Sequence, residues 1–325
     1  MNICFVDKTD FQYDSNSIYS PNLRGAETIL INLSNSLSHL GHKVTVINNC
    51  KENKVINGVR WLNFNSVKKQ EKFDLLVSNG DCRLFKYGKS ENNILFSHSL
   101  QSIEKFIRKK QLISFLKYKP KLCFLSEYHK KNRSKLLTLF GHIDLRWSID
   151  DIFINEKLEE NIDKDLAIFT SRPDRNLELL IDIWTKHIVT KKNTLKLLVT
   201  NNNFNILESS IIKRELGDQR DLIKDLKKSR VCLIPGHKAE LFCLAAEEAR
   251  ELCIPIVTLG IGCLKERVEH GVTGYIAKNK EEFSNYTLEL FNDDIKWNLF
   301  RNNLIKKRSL RTWEKVAGDL INQIG

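Results

Sequence analysis

The feature that most constrains the fold is a series of continuous apolar runs, each followed by a helical pattern. In the first 150 residues the runs are I-C-F-V, K-V-T-V-I, F-D-L-L-V, N-I-L-F and L-C-F-L. A strand that is apolar at consecutive positions is buried on both faces, which is typical of a parallel sheet covered by helices. The helix predicted from Gly25 ends before a capping glycine, Gly41. This order predicts a Rossmann-like α/β domain.

The same pattern restarts after a polar segment at 154–164. Its apolar runs are L-A-I-F-T, L-K-L-L-V, V-C-L-I-P and P-I-V-T-L. The fold class is therefore α/β, with two Rossmann-like domains whose parallel sheets face a cleft. We expect the domains at 1–153 and 154–304, with a C-terminal helix at about 305–325 packing back on the first. Ligands of such folds bind at the carboxyl ends of the strands.

The cysteines and the N-terminus indicate a reducing compartment. Eight cysteines are scattered without a C-x-x-C pair, and several lie inside apolar runs. They are expected to be free thiols, and no zinc or other metal site is predicted. The chain opens directly on a strand, and no apolar run approaches the roughly 18 residues of a membrane span. A cytoplasmic protein is expected.

The formal net charge of +12 is concentrated in one segment. Between Lys105 and Lys135 there are eleven Lys or Arg residues against one acid, Glu127, with apolar side chains between them. Such a segment suits anionic lipid headgroups, nucleic acid or phosphorylated substrates. It is equally compatible with an ordinary solvated face.

The segment A-E-L-F-C-L-A-A-E-E-A, residues 239–249, places two carboxylates around an apolar run. It follows the strand V-C-L-I-P and predicts a helix from about Cys243. A helix N-terminus beside a strand end binds phosphate well. Glu240 before the helix and Glu248 within it could accept hydrogen bonds from sugar hydroxyls. The alternative is that Glu248 is a surface residue of an amphipathic helix.

The segment resembles the E-x7-E motif of the fourth family of retaining glycosyltransferases, the group 1 enzymes with the GT-B fold. Other segments match the family in the same order from about residue 2 to 320: R-G-A-E, L-F-S-H-S, F-L-S-E-Y-H-K-K, S-R-P-D-R-N-L-E-L-L, E-R-V-E-H-G-V-T-G-Y and R-T-W-E-K-V-A. The fourth of these resembles the family's S-P-D-R-G-L-E donor loop. The resemblance implies two Rossmann-like domains in the GT-B arrangement.

In the second domain the resemblance implies a donor site. Glu240 would face the hydroxyls of the transferred sugar as a catalytic residue, and Glu248 would bind the ribose. Arg175 stands where most members have a lysine for the leaving diphosphate, and an arginine fork suits phosphate oxygens. Arg172 would assist, although it could also be an ordinary loop arginine. The remaining donor-binding residues are Leu241, Phe242, Cys243 and Leu244.

In the first domain the resemblance implies that His98 is the active-site residue near the reacting carbon. Without the family, a single histidine at a strand end is more often a structural residue. Gly25 and Ala26 would form a tight loop for the acceptor or a phosphate, where an ordinary turn glycine is the alternative.

Several positions depart from the family pattern. The partner arginine expected five residues before Arg175 is Thr170. Glycines of the family are replaced by Leu241, Cys243, Cys253 and Asn176. Bulkier side chains at 241 and 243 are expected to narrow the sugar pocket.

The function implied is metal-independent, retaining transfer of a sugar, expected to be a hexose, from a nucleotide sugar to an acceptor hydroxyl. No cofactor is expected, and the donor is expected to be a UDP- or GDP-sugar. Surface polysaccharide or glycolipid synthesis fits a glycan or lipid-linked acceptor and a peripheral position at the inner membrane face through residues 105–135. The alternatives are glycosylation of modified bases in phage DNA, which would make nucleic acid the partner, a GT-B epimerase and a non-catalytic sugar-binding protein.

Overall fold

The computed structural model describes residues 1–20, 23–67, 70–158, 162–200, 208–214 and 217–324. They form two compact units, one of residues 1–148 with the C-terminal segment from Thr312, and one of Ile149–Arg311. The division lies at 148/149 and 311/312, where the sequence suggested 153/154 and 304/305. The first difference arises because Ile149 and the following short helix pack within the second unit. Residues 159–161 of the expected linker lie outside the described residues.

The first unit is built on a mainly parallel sheet. Its strands are β1 (Asn2–Val6), β2 (Lys43–Asn48), β3 (Lys54–Ile56), β4 (Val59–Asn63), β6 (Leu75–Asn79), β8 (Asn92–Phe96), β9 (Lys121–Phe124) and β10 (His142–Asp144). Their order is β10-β9-β8-β6-β1-β2-β4-β3, and β3 is the antiparallel member. Short strands β5 (Glu71–Lys72) and β7 (Gly88–Lys89) pair separately. The continuous apolar runs are the buried central strands, as predicted.

The helices of the first unit are α1 (Gly25–His39), α2 (Ile103–Arg108), α3 (Leu112–Tyr118), α4 (Glu127–Lys131) and α11 (Trp313–Asn322). Helix α11 packs against α1. The indole rings of Trp147 and Trp313 lie 6.1 Å apart, and both side chains are buried. The C-terminal segment is therefore part of this unit's core.

The second unit has a parallel sheet of order β13-β12-β11-β14-β15-β16. These strands are β11 (Asp163–Phe169), β12 (Lys196–Val199), β13 (Ile211–Lys213), β14 (Ser229–Leu233), β15 (Ile256–Thr258) and β16 (Gly274–Ile276). The helices are α5 (Asp151–Ile154), α6 (Leu177–Ile183), α7 (Gln219–Lys228), α8 (Leu244–Glu251), α9 (Lys280–Asn292) and α10 (Asp294–Lys306). The buried core includes Leu177, Leu180 and Ile183 of α6, with Trp184 and Ile188 of the π-helical turn that continues it.

The β3–β4 hairpin was not among the elements predicted from the sequence. Its two-residue loop, Asn57-Gly58, has φ angles of 50° and 75°. An Asn-Gly pair with positive φ at both positions forms the type I′ turn that suits the twist of paired strands. The N-G pair in V-I-N-G-V-R-W was therefore a usable signal for this hairpin.

The eight cysteines are buried and unpaired, as expected for free thiols. Among the helices of the described ranges, none is both long and apolar enough to cross a bilayer.

Candidate functional site

The donor loop follows β11 and carries two arginines around one acid. Asp174 accepts hydrogen bonds from Arg172, at 2.9 Å, and from Arg175, at 2.8 Å. Asn176 then starts α6 with a left-handed backbone, φ 67°, and its amide donates to the carbonyl of Gly236 at 2.5 Å. This bond ties the arginine loop to the segment that leads to Glu240.

Glu240 and Arg175 form an ion pair. Arg175 Nε lies 3.0 Å from Glu240 Oε1, and the two side chains are 17% and 15% exposed. Burial raises the pKa of Glu240, although the guanidinium groups of Arg175 and Arg172 act in the opposite direction. Three of the residues predicted for the donor site are thus brought together.

The backbone of Glu240 is fixed by two neighbouring loops. Its N–H donates to the carbonyl of His237 at 2.9 Å, and its carbonyl accepts from the N–H of Cys263 at 3.0 Å. Gly262 makes this approach possible, because a Cβ atom there would lie 2.5 Å from the His237 carbonyl oxygen. The carboxylate is therefore presented by a rigid turn.

Helix α8 begins at Leu244, one residue later than predicted. Cys243 is its N-cap with a left-handed backbone, φ 60°. The backbone N–H groups of Leu244 and Ala245 have no acceptor within the described part of the chain. Such orphan amides carry the positive end of the helix dipole and bind anions.

The three carboxylates of α8 have different surroundings. Glu247 pairs with Arg250 at 2.9 Å and with Arg267 at 3.1 Å. Glu251 accepts from the Arg308 side chain and from backbone amides that follow it. The carboxylate of Glu248 has no hydrogen bond or ion pair to any described residue, and burial, with a smaller effect of Asp150, raises its pKa to about 7.

The apolar residues between the two glutamates serve as packing. Leu241, Phe242 and Cys243 are each 4–5% exposed. The Arg267 guanidinium lies 4.5 Å from the centre of the Phe242 ring, and its Nε donates to the Phe242 carbonyl at 2.8 Å. Arg267 thus holds both this segment and Glu247.

In the first unit His98 lies just beyond β8. Its Nε2 is 2.7 Å from Oδ1 of Asn79, the last residue of β6. The Asn79 side chain also acts on Asp7, which follows β1, as a donor that lowers its pKa, and Asp7 accepts a hydrogen bond from Tyr13 Oη at 2.5 Å. Strands β8, β6 and β1 are neighbours in the sheet, so their ends bring these residues together. Burial lowers the pKa of His98 to about 4, which keeps the ring neutral.

The structure places Gly25 and Ala26, predicted as a loop for the acceptor or a phosphate, as the first two residues of α1. Arg24 before them is extended, and Gly25 has no positive φ. In the same first turn Glu27 is buried, and burial raises its pKa to about 7.

The sequence analysis assigned no role to Asp7, Asn79, Glu27 or Arg267. A signal existed for the first two, since each is a polar residue at the end of an apolar strand run, where α/β folds place their sites. Arg267 lies in the segment E-R-V-E-H-G-V-T-G-Y that resembles the family, but its partners lie about 20 residues earlier in the chain and no spacing links them to it.

A cavity of about 700 Å³ in the second unit lies elsewhere. It is lined by α5, α7 and the residues that follow α5, including Glu156, Arg220 and Lys224, and by none of the predicted site residues. In the described ranges no group of three or more His, Cys, Asp or Glu side chains is arranged to hold a metal.

Residues 150–308 match the family model of glycosyl transferases group 1, just under half of the chain. Three solved structures illustrate the fold similarity. Anabaena HepE in complex with UDP and glucose is 15% identical, with a TM-score of 0.71 over 100% of this chain and 99% of that one. WaaG, a glycosyltransferase involved in lipopolysaccharide biosynthesis, is 10% identical, with a TM-score of 0.70 over 99% of each chain.

The third is a Staphylococcus aureus TarM variant in complex with Fondaparinux, alpha-GlcNAc-glycerol and UDP. It is 16% identical, with a TM-score of 0.60 over 77% of this chain, which spans only 55% of TarM. No curated protein matches the sequence significantly. The fold is GT-B, as predicted, with two Rossmann-like units. The match to the group 1 glycosyl transferase model lies within the second unit and covers it apart from Ile149 and the residues after 308.

Proposed function

We propose that the protein is a retaining, metal-independent hexosyltransferase that uses a nucleotide-sugar donor. The observation that carries this proposal is that groups of opposite charge lie together where the donor loop meets the segment leading into α8. Arg175 is paired with Glu240, while Glu248 and the first amides of α8 have no partners among the described residues. Anion-binding and hydroxyl-binding groups are thus present together, as a sugar diphosphate requires.

Donor binding would rearrange the ion pair. A diphosphate offers Arg175 oxygens of higher charge than a single carboxylate, and Arg172 and the Leu244 and Ala245 amides lie on neighbouring segments to share them. Glu240 is then free to accept hydrogen bonds from the sugar hydroxyls. The same cations stabilise the charge that grows on the leaving diphosphate, which is the role a metal plays in other transferases.

Retention of configuration follows from the resemblance to the fourth family. In such enzymes the departing phosphate takes the proton of the acceptor hydroxyl, on the face of the sugar that it leaves. No protein nucleophile is needed. Neutral His98 contributes hydrogen bonding near the reacting carbon, which agrees with a pKa of about 4.

We propose UDP as the nucleotide, because the HepE and TarM structures hold UDP. For the acceptor we propose a glycan carried on a lipid, which agrees with the role of WaaG in lipopolysaccharide biosynthesis. In the first unit the exposed apolar residues of the basic segment, Ile107, Ile113 and Leu116, favour a membrane surface over DNA. Phosphate contacts alone would not require apolar side chains.

A thermal-shift panel of UDP, GDP, ADP, CMP and their sugars tests the proposed donor. A ligand at 100 times its dissociation constant adds about 2.7 kcal/mol of stability. We expect the largest shift with UDP or a UDP-sugar, with no requirement for Mg²⁺, and a much smaller shift for Arg175→Ala. If no nucleotide shifts the wild-type protein, the proposal is wrong.

A further inference from the structure

Three adjacent strand ends in the first unit carry a connected row of polar side chains. Asp7 follows β1, Asn79 ends β6 and His98 follows β8. Asp7 and Asn79 follow the paired residues Val6 and Ser78, and the Asn79 side chain acts as a donor that lowers the pKa of Asp7. On its other side, Asn79 Oδ1 lies 2.7 Å from His98 Nε2. Asn79 is therefore the only link between the carboxylate and the imidazole within the described residues.

The directions of these bonds are determined by Asp7. An ionised carboxylate only accepts hydrogen bonds, so Asn79 must offer its NH₂ group to Asp7. The amide oxygen of Asn79 then faces His98, and Nε2 must carry the proton to donate to it. Nδ1 is left as an unprotonated acceptor, and it has no hydrogen-bond partner among the described side chains and backbone.

The other groups around Asp7 favour its ionised form. Tyr13 Oη donates to it at 2.5 Å, and the backbone N–H of Lys8 also lowers its pKa. Glu27 lies close enough to affect Asp7 and Tyr13 electrostatically. Burial has the largest effect and raises the pKa of Asp7, whereas the donors around the carboxylate act in the opposite direction and favour its acceptor form.

We propose that Asp7 is a positioning residue which, acting through Asn79, sets the tautomer of His98 with the proton on Nε2 and an acceptor lone pair on Nδ1. An acceptor at Nδ1 can take a hydrogen bond from a hydroxyl of the transferred sugar or of the acceptor. Its use in transfer rests on the proposed function, whereas the tautomer itself does not.

The substitution Asp7→Asn should reverse the direction of the hydrogen bonds from residue 7 through Asn79 to His98, with almost no change in the shape of the side chain. Tyr13 still donates to the new side chain, which then offers its own NH₂ to Asn79. Asn79 must present its oxygen to residue 7 and its NH₂ to His98, so Nε2 becomes the acceptor and the proton moves to Nδ1. In a serine protease the corresponding carboxylate-to-amide change produces the wrong tautomer and large losses of rate.

The test is nitrogen-15 NMR of the ring nitrogens of His98 in the full-length protein at neutral pH. We expect protonated Nε2 and unprotonated Nδ1 in the wild type, and the reverse in Asp7→Asn. The matched control is Asp10→Asn, three residues further on, whose exposed carboxylate pairs with Arg24 outside the row. It should leave the wild-type pattern unchanged.

Protonated Nδ1 in the wild type would overturn the inference without any variant, as would an unchanged tautomer in folded Asp7→Asn. With the donor found by thermal shift, Asp7→Asn should lower kcat about 10²-fold with little change in KM for the donor. A tautomer switch with unchanged turnover supports the inference and instead removes His98 from the reaction. Absence of transfer by the wild type affects the proposed function alone.

Discussion

At the scale of a residue, Glu248 shows how a carboxylate without a partner lowers stability. Its neighbours Glu247 and Glu251 are satisfied by arginines and amides, whereas its own carboxylate is half-buried without a partner. An acid in such surroundings resists ionisation. An exposed position on an amphipathic helix would not raise the pKa of the carboxyl by burial, and the proposed role of Glu248 is to bind the donor.

The substitution Glu248→Gln should stabilise the ligand-free protein in a pH-dependent way. The folded pKa of about 7 lies above the ordinary 4.5, so this residue's contribution to stability is full below pH 4.5 and is lost as pH rises through 7. The glutamine variant has no ionisable group at this position and does not lose this stability as the pH rises. We expect it to be about 1–3 kcal/mol more stable than the wild type near pH 8 and similar near pH 4.5, as measured by urea unfolding.

The matched control is Glu247→Gln on the same helix. It leaves the nearly buried Arg267 without its charged partner and should destabilise at both pH values. Glu248→Gln should also weaken nucleotide binding roughly tenfold, because a charged hydrogen bond is lost. A Glu248→Gln protein that is less stable than the wild type near pH 8 would contradict this view of the site.

The replaced glycines also belong to the residue scale. Asn176, Cys243 and Cys253 stand where the family has glycine, and all three keep a left-handed backbone, with φ of 67°, 60° and 58°. Cys253 closes α8 with the hydrogen bonds of a Schellman motif, from Cys253 N–H to Arg250 and from Ile254 N–H to Ala249. A left-handed backbone is therefore adopted at all three positions without glycine.

At the scale of elements, the packing of the loops around Glu240 depends on a glycine, Gly262. Gly262 has φ 74°, and a Cβ there would lie 2.5 Å from the His237 carbonyl oxygen and 2.9 Å from that of Glu240. Both contacts are with backbone, which cannot move aside cheaply. The packing of two loops, rather than either loop alone, fixes the carboxylate.

Gly262→Ala should destabilise the protein by about 2–4 kcal/mol, from backbone strain together with overpacking, and should weaken donor binding. The control is Gly271→Ala, at φ 75°, where a Cβ would meet no described atom within 4 Å. It should lose only the cost of a left-handed alanine, about 1–2 kcal/mol. Thermal unfolding of both variants measures the difference, and equal losses would contradict the packing argument.

The sequence predicted elements better than contacts. Apolar runs located the central strands because burial on both faces leaves a direct signature, and Gly41 marked the end of α1 as a positive-φ glycine. The E-x7-E spacing located Glu240 and Glu248. The pair of Glu240 with Arg175 and the link of Asn79 with His98 could not be predicted, because they depend on strand order and not on spacing along the chain.

At the scale of the whole molecule, the positive charge is accompanied by exposed apolar residues. In the segment 105–139 of the first unit, Phe106 and Phe115 are buried, whereas Ile107, Ile113, Leu116, Leu136 and Leu139 are exposed. Lysines around exposed aliphatic side chains are typical of surfaces that lie on anionic bilayers. A protein face that contacts only water does not require exposed aliphatic side chains.

Ile113→Asp should lower sedimentation with anionic phosphatidylglycerol vesicles about tenfold, because one buried aliphatic side chain is lost and a repelling charge is gained. Ile295→Asp is the matched control, since Ile295 is 84% exposed and Ile113 is 83% exposed. It should sediment like the wild type, and neither protein should bind neutral vesicles. A salt-sensitive shift of duplex DNA without vesicle binding would favour the nucleic-acid alternative.

The most direct measurement is release of nucleotide from the preferred donor in the presence of EDTA. Because Arg175, Arg172 and the amides of α8 are proposed to replace a metal, the wild-type rate should be unchanged by the chelator. Glu240→Gln and His98→Ala should each be about 10²-fold slower. Release that stops in EDTA would contradict metal independence, and equal slow release by the wild type and both variants would contradict glycosyl transfer at this site.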